Sequence, residues 1–141
     1  MTADAFELEG LLARLALEDE LAGPAALMSN VAYHYDRTAG LLMLGDCLEA
    51  LEALLGLLAD PRPVCRREPP FLPIDGGYGH PFGPITVGNK ARFILEKLLS
   101  PEALREATLK GPGWVDANRT RLKWDPDARR WQRRNTLLRR P

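Results

Sequence analysis

Apolar residues recur every three or four positions in the first part of the chain, which is the spacing of one helix face. Residues 4–21 follow this spacing, and acidic residues fill the remaining face. Asp4 is the expected N-cap, and the Ala-Gly-Pro sequence before Ala25 ends the segment. Pro24 suits the first turn of a second helix, which we expect to run to about Arg37. The leucines of the first helix face are Leu8, Leu11, Leu12 and Leu15.

The clearest helical pattern lies between residues 41 and 58. Leucines there alternate in steps of three and four, which is the seam pattern of coiled coils. The seam consists of Leu41, Leu44, Leu48, Leu51, Leu55 and Leu58. Because this seam is short for a free-standing coiled coil, we expect it to pack against the first helix of the same chain. A homodimer formed through the Leu41–Leu58 seam is the alternative.

Proline and glycine then dominate residues 61–88. Proline fixes φ and lacks an N–H donor, so neither a long helix nor a central strand is expected there. We predict an irregular connecting loop that packs on the body of the protein. Its apolar anchors are Phe71, Leu72, Ile74, Tyr78 and Phe82.

Two short helices are predicted next. The first covers about 89–99 with Asn89 as its N-cap. The second is marked at both ends, since Ser100 is a suitable N-cap, Pro101 fits the first turn and Gly111 ends the helix.

After Gly113 the pattern changes to a period of two, which predicts a β-hairpin. The sequence Asp-Pro-Asp-Ala at 125–128 is a turn signal, and a four-residue loop at 126–129 fixes the register. The predicted cross-strand pairs are Leu122 with Arg133, Trp124 with Trp131, Asp125 with Arg130, and Arg121 with Arg134. One face would carry Leu122, Trp124 and Trp131, and the other would carry Arg121, Lys123, Arg130, Gln132 and Arg134. A fold usually avoids like charges that face each other across strands, unless an anionic surface neutralises them.

These elements predict an α+β fold. It comprises a helical N-terminal body (1–60), a Pro/Gly-rich connecting loop (61–88), and two short helices with a C-terminal antiparallel β-hairpin (89–141). We expect the three regions to pack as one domain.

Charge is distributed unevenly, although the 19 basic and 19 acidic side chains cancel. Residues 1–60 carry a net charge of −9, residues 61–100 carry +3 and residues 101–141 carry +6. This asymmetry indicates binding partners, or at least two faces of opposite sign. Arginine and tryptophan are enriched at interface hot spots, and arginine binds phosphates and carboxylates well.

We therefore predict a non-catalytic binding protein. It would be a small accessory regulator that docks on transcription or other nucleic-acid machinery, such as RNA polymerase, through the basic hairpin. Compact phage- or host-encoded factors that bind RNA polymerase share this size and charge polarity. The expected partner is an acidic protein surface or a nucleic acid, with no cofactor or metal. The predicted contact residues are Arg121, Lys123, Trp124, Arg129, Arg130, Trp131, Arg133, Arg134, Arg139 and Arg140.

The order helix, turn, helix and hairpin across residues 89–135 resembles the second half of a winged-helix unit. The resemblance places residues 101–110 in the recognition position and residues 119–135 in the wing, and it implies direct binding of DNA or RNA. The helix in the recognition position is not strongly basic, because Arg105 and Lys110 are offset by Glu102 and Glu106.

Other functions have weaker support. An enzyme using His34 or His80 is an alternative, but no partnering acid or nucleophile stands at a telling spacing from His80, and we expect His34 to make a local hydrogen bond at the end of its helix. The glycines at 76–79 lack the Lys-Ser/Thr pair of a P-loop. Cys47 and Cys65 do not have zinc-site spacing. The chain has no apolar run of about 20 residues that would span a membrane, so we expect a cytoplasmic protein.

Overall fold

The described part of the protein is a set of five α-helices and one two-stranded antiparallel sheet, the α+β arrangement that the sequence predicts. The computed structural model describes residues 2–17, 47–65, 69–70, 72–73, 85–111 and 113–133. The elements are α1 (Thr2–Ala13), a 3-10 turn (Arg14–Ala16), α2 (Leu48–Gly56), α3 (Val87–Leu98), α4 (Pro101–Lys110), α5 (Gly113–Asn118), β1 (Leu122–Asp125) and β2 (Arg130–Arg133). Within these ranges, no helix has both the length and the apolar character needed to cross a bilayer.

Helix α3 lies at the centre of a single cluster of buried side chains. It contacts α2, the 3-10 turn, α4 and β2, so every neighbouring element shares its core. Its buried apolar residues are Val87, Ala91, Ile94, Leu95 and Leu98. The hairpin contributes Leu122 and Trp131 to the same cluster, and α5 contributes Trp114 and Val115. The hairpin is therefore held by the helical core.

The segment that follows α2 is fixed to the body by backbone hydrogen bonds. The N–H of Val64 donates to the carbonyl oxygen of Ile85 at 2.7 Å, and the N–H of Cys65 donates to that of Ala16 at 3.0 Å. Val64 is fully buried, whereas the predicted anchor Leu72 is 53% exposed. Leu72 is therefore not an anchor, and the proline-containing segment at 61–65, with the buried Val64, performs that task instead. The other predicted anchors, Phe71, Ile74, Tyr78 and Phe82, lie outside the described residues.

The first helix ends earlier than the sequence predicts. Leu17 has an extended backbone, with φ −125° and ψ 145°, and it forms a parallel bridge with Cys65. Pairing with the proline-rich segment therefore ends the helical conformation before residue 21. The predicted second helix, residues 24–37, lies outside the described residues.

The four described leucines of the seam pack inside the chain. Leu51 and Leu55, on α2, are 0% and 4% exposed, and they belong to the same buried cluster as α3. Leu41 and Leu44 lie outside the described residues, so the homodimer remains a prediction.

Local sequence explains the ends of the next two helices. Thr86, and not Asn89, is the N-cap of α3: the Thr86 hydroxyl accepts from the Asn89 N–H, and the Asn89 side chain accepts from the Thr86 N–H. This reciprocal capping box places Asn89 inside the helix. The predicted ends of α4 are confirmed, because the Ser100 hydroxyl accepts from the Ala103 N–H and Gly111 follows the helix with φ 77°.

Candidate partner-binding surface

The hairpin has the register that the sequence predicts. Leu122 pairs with Arg133, Lys123 with Gln132, Trp124 with Trp131, and Asp125 with Arg130. None of these described pairs opposes two like charges. The predicted pair of Arg121 with Arg134 lies partly outside the described residues, because Arg134 is not among them.

Asp125 organises the loop between the two strands. Its Oδ1 atom accepts from the N–H groups of Asp127 and Ala128, at 3.0 and 3.2 Å. Its carbonyl oxygen accepts from the N–H of Arg129 at 2.7 Å. A short polar side chain that accepts a hydrogen bond from the backbone N–H two residues later is typical of a turn. The loop is therefore locked by its own hydrogen bonds.

Arg129 closes this loop in an unusual conformation. Its φ is +55°, and it is the one described residue other than glycine with a positive φ. This conformation costs an ordinary L-residue roughly 1–2 kcal/mol, because Cβ crowds the following carbonyl. The Arg129 side chain is exposed, and no ion pair or hydrogen bond of its guanidinium occurs in the described part of the chain.

The tryptophan side of the hairpin faces the core. Trp131 is 7% exposed and packs edge-to-face against the half-buried Trp124, with ring centroids 5.5 Å apart and an interplanar angle of 67°. Trp131 is thus a core residue, and of these two indoles only that of Trp124 retains surface for a partner. The Trp131 Nε1 atom is buried without a hydrogen-bond partner among the described groups.

Arg133 is an internal anchor. Because it pairs with Leu122, it lies on the tryptophan side of the hairpin. Its Nη1 atom donates to Oε1 of Glu106 on α4, and its guanidinium lies 5.8 Å from the centroid of the Trp114 ring. The Nε1 atom of Trp114 donates to the same Glu106 oxygen at 2.8 Å. One carboxylate therefore joins α4, α5 and β2, and the Arg133 charge is already neutralised.

The electrostatics of this cluster follow from its geometry. The hydrogen bond from Arg133, and then the one from Trp114, lower the pKa of the Glu106 carboxyl below its ordinary value of 4.5. Both donors favour the ionised carboxylate, so protonation of Glu106 weakens the cluster.

Arg130 is also used by the fold. Its Nη2 atom donates to the carbonyl oxygen of Glu96 at 3.2 Å. This carbonyl belongs to the last turn of α3, where the helix macrodipole favours a cation. Arg130 therefore fastens the hairpin to the carboxyl end of α3.

The remaining predicted contact residues differ in their availability. Lys123 is exposed and, like Arg129, has no ion pair in the described part of the chain. Arg121 is half-buried and has an interaction partner. Arg134, Arg139 and Arg140 lie outside the described residues. The candidate surface is therefore the strand face and loop that carry Lys123 and Arg129, which we call the hairpin tip.

No metal-binding cluster accompanies this surface in the described ranges. No three His, Cys, Asp or Glu side chains gather there in a way that would hold a metal ion. His34 and His80 lie outside the described residues. Cys47 and Cys65 are both free thiols.

One helix of this region departed from expectation. Helix α5 was not predicted, and it stands between α4 and the hairpin. This extra helix departs from the winged-helix order, in which the helix in the recognition position leads directly into the wing. Comparison of the chain with protein-family models, curated proteins and solved structures finds no match of any of the three kinds.

Proposed function

We propose that this protein is a non-catalytic docking protein whose hairpin tip binds an anionic partner in transcription or other nucleic-acid machinery. The observation that carries the proposal is the backbone conformation of Arg129, whose φ is +55°. Its positive φ is a conformation that glycine adopts at no steric cost. The fold thus bears the cost of an arginine whose guanidinium has no ion pair or hydrogen bond among the described residues.

Strained residues persist where the surrounding structure holds them, and they cluster at functional sites. The Asp125 hydrogen bonds hold Arg129 in place, so the guanidinium starts from a fixed point on an ordered loop. A cation on an ordered loop loses less conformational freedom when it binds than one on a mobile loop. Lys123 supplies a second exposed cation on the adjoining strand.

The positive charge of the hairpin tip favours a negatively charged partner. Carboxylates and phosphates both bind arginine through bidentate hydrogen bonds. The partly exposed Trp124 adds aromatic surface, which is enriched in protein interfaces. We therefore favour an acidic protein surface.

Direct nucleic-acid binding in a winged-helix manner has less support. Glu106, on the helix in the recognition position, is committed to Arg133 and Trp114. The exposed cations Arg105 and Lys110 share that helix with the exposed Glu102, and such a mixed face does not favour phosphate binding.

Affinity purification from the native cell tests the proposal. The tagged wild-type chain is compared with a K123S/R129S variant and with a matched R62S/R119S control. The control removes the same charge from two exposed arginines that are already paired, with Asp60 at 2.8 Å and with Asp116 at 3.1 Å.

We expect K123S/R129S to recover about tenfold less partner, since charged hot-spot contacts are worth 1–2 kcal/mol or more. The control should recover wild-type amounts, and far-UV circular dichroism should show that all three chains fold. Equal recovery by K123S/R129S and the control would overturn the proposal. A parallel purification with nuclease distinguishes the partners, because binding through nucleic acid would be lost on digestion.

The cytoplasm is the proposed compartment. The two free cysteines support it, because thiols stay reduced in the cytoplasm and are more often oxidised outside it.

A further inference from the structure

A groove separates α3 from α4 on a different surface from the hairpin tip. Its volume is about 460 Å³, within the range of roughly 300–1,000 Å³ that is typical of ligand pockets. Leu99 and Leu104 are nearly buried and form its floor, at 1% and 4% exposed, while Leu109 is 84% exposed. The lining residues are Arg92, Glu96, Leu99, Pro101, Leu104, Arg105, Thr108 and Leu109.

The exposure of Leu109 needs an explanation. It lies in the last turn of α4, where a polar side chain would be equally compatible with the helix. A single exposed leucine is ordinary, but this one adjoins an apolar floor and extends it towards solvent. The groove and Leu109 together form a continuous apolar surface.

The polar groups that line the groove are basic or already paired. Arg92 and Glu96 form an ion pair at 3.5 Å, which offsets the Glu96 charge. The Thr108 hydroxyl donates to the carbonyl oxygen of Leu104 at 2.7 Å. Arg105 is exposed and has no ion pair in the described part of the chain. The charge left at the groove is therefore positive.

We infer that this groove binds a peptide segment of a partner protein that combines large apolar side chains with an acidic residue. The exposed Leu109 and Pro101 contact the apolar side chains, and Arg105 pairs with the carboxylate. An amphipathic helix laid in an apolar groove is a common form of this recognition. A nucleic-acid backbone would leave the exposed Leu109 without apolar contacts.

The inference stands apart from the proposed function of the hairpin tip. The two surfaces are close, because Arg130 of the hairpin donates to the carbonyl of Glu96, whose side chain lines the groove. Different residues carry them, however, so each can be removed without the other.

A displayed library of random 12-residue peptides, selected on the full chain, is the probe. We expect the enriched peptides to carry Asp or Glu beside two large apolar residues three or four positions apart. Their affinities are then measured by fluorescence anisotropy with synthetic peptides.

Three single substitutions on α4 locate the binding site. R105E and L109S change exposed groove residues and should each weaken binding about tenfold or more, while the helix remains folded. K110E reverses a charge on the same helix outside the groove lining and should have little effect.

Several results would overturn the inference: no enriched peptide, enriched peptides without acidic residues, or equal losses in R105E and K110E. Loss of peptide binding in K123S/R129S but not in R105E would place the peptide at the hairpin tip and leave the proposed function intact. If mixed-sequence single-stranded DNA displaced the peptide from the wild-type chain but did not bind the R105E variant, the groove would be assigned to nucleic acid. A dimer in sedimentation that L109S dissociates would assign it to a second copy of the chain.

Discussion

Replacement of Glu106 tests whether one carboxylate holds the hairpin to the helices. Glu106→Ala removes the acceptor of two hydrogen bonds, one from Trp114 and one from Arg133. Trp114 is fully buried, so its indole N–H would be left without a partner at a cost of about 1–3 kcal/mol. The Arg133 and Glu106 side chains are 25% and 41% exposed, so solvent screens their ion pair and its loss costs only about 1 kcal/mol.

The expected loss in the free energy of unfolding is therefore about 2–4 kcal/mol for Glu106→Ala. Glu106→Gln keeps an acceptor for the indole and loses only the charge, so its cost should be about 1 kcal/mol. Glu102→Ala, in the exposed first turn of the same helix, is the control and should cost about 0.3–1 kcal/mol. Urea denaturation followed by tryptophan fluorescence measures all three.

The pKa of Glu106 adds a pH dependence to this prediction. Because that pKa is lowered in the folded state, the stabilisation is present above the ordinary value of 4.5 and is lost as the pH falls below it. The stability difference between wild type and Glu106→Gln should therefore be constant above about pH 5 and should shrink as the pH falls below the ordinary value of 4.5. Equal stabilities of the Ala and Gln variants at pH 7, or an Ala variant no less stable than the Glu102 control, would refute the reasoning.

Further predictions concern the packing of single residues. Gly88→Ala should destabilise the fold by about 2–3 kcal/mol or more, because the added methyl group would clash with the backbone carbonyl of Leu58. Gly10→Ala should stabilise helix α1 by about 0.5–1 kcal/mol, because its methyl group would have no described atom within 4 Å. Thermal denaturation of the two variants checks this pair, and a Gly88→Ala variant as stable as wild type would contradict the packing. Trp131→Phe should lower the free energy of unfolding by about 1–3 kcal/mol less than Trp114→Phe does. The Trp131 substitution removes a buried N–H that has no partner among the described groups, whereas the Trp114 substitution removes an N–H that donates to a carboxylate. Equal costs in urea denaturation would show that these hydrogen bonds do not distinguish the two indoles.

Local signals in the sequence predicted the hairpin well. Pro126 and the acidic residues beside it define the loop, and the loop length then sets every pair in the register. The caps of α4 were predicted for the same reason, since Ser100, Pro101 and Gly111 each act within a few residues.

The features that were not predicted depend on contacts between distant residues or on segments too short to show a pattern. Helix α5 has only six residues and begins at Gly113. It is stabilised by the burial of Trp114 and Val115 against other elements. Arg133 is separated from Glu106 by 27 residues, so its internal pairing could not be inferred from alternation along the strand. The positive φ of Arg129 was also missed, because arginine is not a residue that signals that conformation.

The measurement that tests the central claim most directly is a paired assay of stability and partner capture for Arg129→Gly and Arg129→Ala. Glycine relieves the backbone strain at some cost in chain entropy, so Arg129→Gly should gain roughly 0.5–1 kcal/mol in the free energy of unfolding. Alanine keeps the strain and should leave stability nearly unchanged. Both variants lack the guanidinium, so both should capture less partner than wild type. Undiminished capture by both variants would show that Arg129 is not a contact residue and would contradict the account.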